Sequence, residues 1–366
     1  MNSSPNRRKN NSELVGLALA ILMAAIVILM ISSVILLVAL SGKADSNGNN
    51  QTGNNNSVPT MTKPQNDTQN QNPSNGTPLF PTTPSRSNYI STSASGATKL
   101  TNEITSYNTI LVELGGYTST VEKNADDKMY PASMTKVMTL LVACERVTDL
   151  DKRLTVDDDA IAFKESQDAS GLLVRESIGL SFTVKDLLYI LFFDSDTAAC
   201  FLLAKEVAGS EEAFVELMNA KAAELGLTKT HFTNSTGLYD ENHYTTCREM
   251  AAIMAYALDN TLAKEIITCT DTINPMGRDE ATKETIRYWS TPSWYKNRFD
   301  YKSVLDTVTV KGAKTGYIDE SGISLVSYAE SSDGKRYINV IVGIPKVQNA
   351  STSTKEVKYI YNNYAK

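Results

Sequence analysis

Ser133-Met134-Thr135-Lys136 sets a hydroxyl and an amine three residues apart, which puts both side chains on one face if the segment opens a helix. A lysine whose pKa is lowered by burial or by a cationic neighbour can take the serine proton, and a helix N-terminus favours the oxyanion that acyl transfer generates. Two other segments have groups that fit such a site. Ser195-Asp196-Thr197 offers two hydroxyls around a carboxylate. Lys314-Thr315-Gly316, followed by Tyr317, offers a cation and a hydroxyl for a substrate carboxylate, with a glycine that lets a ligand backbone come close.

Each motif also has a plain reading. Ser-x-x-Lys recurs at Ser293 to Lys296 and at Ser332 to Lys335, so Ser133 alone could be a capping serine beside a solvated lysine. Lys314 could be a surface lysine in a turn, and Asp196 the N-cap of its helix. Ser133 differs from the other two serines in its context, because an apolar helical period follows through Met134, Val137, Leu140, Leu141 and Cys144.

Composition narrows the chemistry. The 366 residues hold only two histidines, His231 and His243, and four cysteines, Cys144, Cys200, Cys247 and Cys269, with no C-x-x-C pair. A zinc site is therefore not expected, and a serine nucleophile must find a base other than histidine. Both histidines fall near element ends and read as structural hydrogen-bonders. Cys200, five residues beyond Ser195, is placed to approach the site, although buried free cysteine is the common case. Residues 98–366 carry 29 Lys+Arg against 38 Asp+Glu, a net charge of −9 within a chain total of −6. That balance repels phosphate backbones and argues against nucleic acid as a partner.

The elements that must position these residues begin after an unusual N-terminal quarter. Residues 14–40 are 27 uncharged, mostly aliphatic positions. As a helix they extend about 40 Å, enough to cross a hydrocarbon core of roughly 30 Å with tilt. Arg7, Arg8 and Lys9 precede the segment and only Lys43 closely follows it, so residues 1–13 are expected in the cytoplasm and the rest outside. A signal peptide cleaved near Ala39 and Ser41 is the alternative, and it exports the same C-terminal part. Residues 41–97, rich in Asn, Ser, Thr and Pro, read as a disordered linker.

From residue 98 to 366 the expected domain is α+β. Residues 107–122 read as a hairpin turning at Gly115-Gly116, and Pro131 opens the helix that carries Ser133. Thr183 and Asp186 form a capping box before an apolar helix over 187–193, and a third helix over 197–207 closes at Gly209. Ser210 caps a fourth helix that ends before Gly226, and another surrounds 249–258. Strands return at 308–311, 323–329 and 337–342, and a terminal helix starts near Thr354. The result is a mostly antiparallel sheet built from N- and C-terminal strands, with a helical subdomain inserted between them.

In this order the three motifs resemble those of the penicillin-recognising serine enzymes. More closely, the chain is similar to the low-molecular-mass D-alanyl-D-alanine carboxypeptidases. The likeness includes Glu122-Lys123-Asn124-Ala125-Asp126, Pro131-Ala132-Ser133-Met134-Thr135-Lys136 and Ala208-Gly209-Ser210-Glu211-Glu212-Ala213-Phe214. It continues with His231-Phe232-Thr233-Asn234, Gly237-Leu238, His243-Tyr244-Thr245-Thr246 and Lys314-Thr315-Gly316-Tyr317-Ile318-Asp319-Glu320. The resemblance implies a β-lactamase/transpeptidase-like fold and a serine carboxypeptidase without metal or cofactor. Ser133 would be the nucleophile and Lys136 its base, with Ser195 relaying a proton to the leaving amine. Lys314 and Thr315 would hold the terminal carboxylate beside Gly316, and the N–H groups of Ser133 and Tyr317 would form the oxyanion hole. The implied partners are the peptidoglycan stem pentapeptide, β-lactams as covalent inhibitors, and the membrane through residues 14–40.

One departure stands out. The family's Ser-x-Asn becomes Ser195-Asp196-Thr197, and Thr197 lacks the amide donors and carbonyl of asparagine. A register one residue earlier, Asp194-Ser195-Asp196, loses the serine's place. Two other readings follow: a binding or scaffolding relative weakened at Thr197, or a β-lactamase, against which no Glu-Pro-x-Leu-Asn stretch lies between Ser195 and Lys314. The family's frequent extra β domain and C-terminal membrane helix are not expected after Val342-Gly343-Ile344-Pro345, where the N-terminal span would replace that anchor.

Overall fold

The computed structural model describes residues 89–169, 171–292 and 308–365. The expected tail, span and most of the linker lie outside them, and among the described residues no helix is long and apolar enough to cross a membrane. In chain order the strands are β1 (Thr92–Lys99), β2 (Asn108–Glu113), β3 (Thr118–Lys123), β4 (Arg153–Thr155), β5 (Leu180–Thr183), β6 (Met276–Asp279), β7 (Thr285–Arg287), β8 (Val308–Ile318), β9 (Gly322–Ser331) and β10 (Arg336–Ile344). The helices are α1 (Lys136–Arg146), α2 (Asp158–Ser166), α3 (Val184–Phe193), α4 (Thr197–Ala208), α5 (Glu211–Glu224), α6 (Cys247–Asp259), α7 (Thr261–Thr268) and α8 (Asn349–Tyr364).

A six-stranded sheet runs β1-β3-β2-β10-β9-β8, antiparallel except where β1 lies parallel to β3. Alternation along its strands feeds two cores. Ile110, Val112, Val326, Tyr328, Ile338 and Val340 face the helical layer, while Leu111, Leu325, Ala329, Tyr337 and Ile341 face Val357, Ile360 and Tyr361 of α8. At roughly 1.5–3 kcal/mol for each fully buried large apolar side chain, both faces hold the register of the sheet, because a one-residue slip would exchange them. Residues 136–145 of α1 are all buried, which suits a helix at the centre of a layer. It packs against α3, α4, α5, α6 and α7.

Local signals set the helix ends much as expected. Asp186 N donates to Thr183 Oγ1 at 3.0 Å and Thr183 N to Asp186 Oδ2 at 3.4 Å, completing the capping box of α3. Gly209 ends α4 with φ +85°, and Ser210 Oγ then accepts from Ala213 N to start α5.

The domain starts earlier than composition suggests. Residues 92–97, assigned to the linker, form most of β1, and Tyr89 is already buried edge-on between Tyr117 and Tyr256. β1 has no apolar period because polar contacts order it. Ser93 Oγ donates to Glu122 Oε1 at 2.5 Å, and Arg248 Nη1 donates to Ser91 O at 3.1 Å while its Nη2 reaches Glu122 Oε1 at 2.9 Å. A second sheet, β4-β5-β6-β7, was also not anticipated. Its strands have only three or four residues, too few for a periodic signal.

Candidate active site

Ser133 does not sit in an α-helix. Ala132–Thr135 is a single 3-10 turn, and α1 begins only at Lys136. In 3-10 geometry side chains at i and i+3 eclipse, which brings Lys136 Nζ to 3.3 Å from Ser133 Oγ. Ala132 takes a left-handed φ of +51°, a conformation that surrounding structure must enforce. Two glycines make the enclosure. A Cβ on Gly237, at φ +88°, would lie 1.8 Å from Ala132 O, and one on Gly316 would lie 3.0 Å from Ala132 Cβ and 3.1 Å from Ser133 N. Gly316, expected to admit a ligand backbone, first admits the turn of the protein's own nucleophile.

Lys136 is 2% exposed and donates to Thr236 O at 2.7 Å. Burial pushes its pKa down, while Cys200, Asp196 and Glu211 act in the opposite direction. Thr236 stays in place through Asn234, whose Oδ1 accepts from the N–H groups of Thr236, Gly237 and Leu238 at 3.1, 2.7 and 3.2 Å. His243 braces the turn from the other side. Its Nδ1 accepts from Thr233 N at 3.1 Å, so the neutral ring carries its proton on Nε2, 2.8 Å from Thr135 Oγ1. His231 is exposed, with Nδ1 2.7 Å from Asn242 O. Both histidines make structural bonds of the expected kind.

The opposite wall comes from the start of α4. Ser195, at φ +56°, receives Lys314 Nζ on Oγ at 3.1 Å. That contact supports the register with Ser195 as the motif serine. Asp196 is fully buried and caps α4 through Ala199 N at 2.9 Å, as its plain reading held. It also accepts from Leu173 N at 2.8 Å and lies 3.8 Å from Lys164 Nζ, tying the loop before β5 to the site. Lys314-Thr315-Gly316 lies well inside β8, which extends to Ile318 rather than ending near residue 311. Lys314 is accordingly 1% exposed and not a surface lysine.

These walls enclose a cleft of about 550 Å³. Ser133, Lys136, Ser195, Thr197, Thr315, Gly316 and Tyr317 line it, and Lys314 sits behind, reaching it through Ser195. The structure thus gathers all eight candidate residues around one space. Sequence reasoning missed the Thr236 carbonyl, the Asn234 hub and the wall at Asp168 and Ala169. The Asn234-to-Gly237 segment has the composition of an Asx-stabilised turn, a signal that was present in the sequence. Among the described residues no cluster of three or more His, Cys, Asp and Glu is placed to hold a metal, and all four cysteines are free thiols.

A serine hydroxyl beside a desolvated lysine, with a second serine–lysine pair across the cleft, is equipped for acyl transfer. The sequence pattern described as D-alanyl-D-alanine carboxypeptidase matches residues 93–346. The chain belongs to that family. It is 35% identical over 246 residues to D-alanyl-D-alanine carboxypeptidase DacF of Bacillus subtilis, covering 66% of this chain and 58% of that protein. It is 33% identical over 241 residues to DacC of Escherichia coli, covering 64% and 55% respectively. The chain therefore spans a little over half the length of these curated relatives. Among solved structures, that of Streptomyces K15 DD-transpeptidase superimposes with a TM-score of 0.61 at 24% identity, covering 73% of this chain and 99% of that one. Penicillin binding protein 5 from Haemophilus influenzae gives 0.58 at 26% identity, covering 71% and 72%. The expected transpeptidase-like fold is the one found.

Proposed function

We propose that the protein is a serine D-Ala-D-Ala carboxypeptidase that removes the terminal D-alanine of peptidoglycan stem peptides through a Ser133 acyl-enzyme. The observation that carries this reading is the 3.3 Å approach of Lys136 Nζ to Ser133 Oγ inside a cleft whose far wall holds the Lys314–Ser195 pair. Neutral Lys136 keeps one N–H on Thr236 O and turns its lone pair to the Ser133 hydroxyl. The Ser133 oxygen attacks the peptide carbonyl as its proton passes to Lys136, and the oxyanion settles against the N–H groups of Ser133 and Tyr317. The proton then travels through Ser195 to the departing D-alanine amine, whose carboxylate is held by Thr315 with the Lys314 ammonium behind it, reaching the cleft through Ser195. Water takes the acyl group off Ser133 by the reverse path, and a β-lactam blocks the site because its ring-opened acyl-enzyme hydrolyses slowly.

In the same reading residues 14–40 anchor the chain in the membrane, residues 1–13 stay in the cytoplasm, and the linker lets the domain reach the wall outside. A binding-only relative is the second reading, favoured by Thr197 standing on the cleft wall in the asparagine position. Labelling with a fluorescent penicillin tests the nucleophile: wild type should label and Ser133→Ala should not. Release of D-alanine from a pentapeptide then separates the enzyme from a binder, since a binder labels without releasing D-alanine.

A further inference from the structure

The helix α2 ends in a Schellman closure beside the cleft. Asp168 N donates to Glu165 O at 3.0 Å and Ala169 N to Lys164 O at 3.2 Å, which puts Asp168 just past the helix end with a left-handed φ of +47°. Glycine is the usual residue at that position and asparagine the next. A carboxylate is also unfavourable there, because the C-terminal end of a helix dipole is negative. Lys164 in the last turn is engaged elsewhere, since its Nζ donates to Leu173 O and lies 3.8 Å from Asp196 Oδ2.

The segment around Asp168 is fastened on both sides. Gln167 Oε1 accepts from Thr236 Oγ1 at 3.3 Å, and Leu173 N donates to Asp196 Oδ2 at 2.8 Å. Between these anchors Asp168 is exposed and lines the same cleft as Ser133 and Thr315. Its carboxylate has no hydrogen bond or ion pair among the described residues. Among the described residues that line the cleft it is the one acid, in company with Lys136 and Lys346.

We infer that Asp168 is a specificity-determining residue: its carboxylate selects acyl donors that carry an ammonium on the side chain of the residue preceding the two D-alanines. The inference rests on the carboxypeptidase reading above and names the class of substrate for that site. The two D-alanines offer only methyl groups and a terminal carboxylate, so a cation must come from the residue before them. Asparagine at 168 would keep a hydrogen-bond acceptor, suit the left-handed backbone and spare α2 a charge at its negative end. What aspartate adds is the charge. A negative group that is unfavourable for its helix and unpaired among the described residues fits a partner that arrives with the ligand.

The test compares D-alanine release by the full chain from two Nα-acetylated tripeptides ending in D-Ala-D-Ala, one beginning with lysine and the other with norleucine, which has the same carbon chain without the ammonium. Wild type should favour the lysyl donor about 2- to 5-fold in kcat/KM, as for one ion pair at the edge of a solvent-open cleft. Asp168→Asn should bring that ratio to about one and Asp168→Lys should invert it. Asp168→Asn should also melt at or above the wild-type temperature, since it relieves the helix end. A wild-type ratio near one, or a preference that survives Asp168→Asn, overturns the inference. Loss of the preference together with a clear fall in melting temperature makes Asp168 a structural residue and overturns it as well. If neither donor releases D-alanine, the carboxypeptidase reading fails. The concentration of each donor that halves labelling by a fluorescent penicillin then decides Asp168 separately, by the same ratios.

Discussion

Lys314 Nζ donates to Ser195 Oγ at 3.1 Å, joining a fully buried strand residue to a serine 119 positions earlier that is held at a left-handed φ. The bond orients the Ser195 hydroxyl within the cleft and supports the register that makes Ser195 the motif serine. Lys314→Met keeps most of the side-chain volume and removes the ammonium. Acylation by penicillin should drop about 10- to 100-fold, the range expected for losing a charge-assisted hydrogen bond. Thermal stability should hold or rise, because an apolar group replaces a buried charge. Equal acylation rates in the two proteins would show that Ser195 works without this partner.

The tight seat of the nucleophile turn gives a matched pair of glycine substitutions. Gly237→Ala forces a Cβ to 1.8 Å from Ala132 O at φ +88°, so the Ser133 turn must move. Stability should fall by more than about 2 kcal/mol and acylation should be lost. Gly334 has a similar φ of +86°, but a Cβ added there would meet no atom within 4 Å. Gly334→Ala should cost only the left-handed penalty of about 1–2 kcal/mol and leave acylation intact. Denaturant unfolding and penicillin labelling on both variants check the contrast.

His243 should make stability depend on pH. Burial lowers its pKa from 6.5 to about 4 in the folded state, so its contribution is fully present above pH 6.5 and is lost as pH falls from there toward 4. The full loss is on the order of 3 kcal/mol. In His243→Asn, which can still accept from Thr233 N, the steepness of the melting temperature over that window should diminish. Parallel curves for wild type and variant would contradict a neutral, buried His243.

Thr197 is 2% exposed at the first position of α4 and stands on the cleft wall. If its hydroxyl meets the bound peptide, Thr197→Val should lower kcat/KM for D-alanine release about 3- to 10-fold, while melting stays unchanged and Thr197→Ser retains activity. A neutral effect of Thr197→Val would remove Thr197 from the substrate contacts.

Much of the scaffold was legible because its signals are local. The Thr183–Asp186 capping box, the Gly209 stop, the Ser210 cap and the Gly115-Gly116 turn each depend on a few adjacent residues. β1 was not legible, since its order comes from Glu122 and Arg248, which are distant in sequence and satisfy polar rather than apolar groups. β8 runs on to Ile318, beyond the strand expected over 308–311, for a related reason. Lys314 looks like a surface residue until β9 pairs with its strand and tertiary packing buries it, while Thr315 beside it stays on the cleft wall.

The sequence alone determined the cast of the site: a serine and lysine three apart, a second serine at a helix start, and a Lys-Thr-Gly triplet, with histidine too scarce to serve as base. The tertiary structure decided how these residues can act. Proton affinity depends on burial and on neighbouring charge, and neither the 2% exposure of Lys136 nor its surroundings of Thr236, Asp196 and Glu211 can be read from its own segment. Only packing three distant segments against one 3-10 turn makes a desolvated amine out of an ordinary lysine.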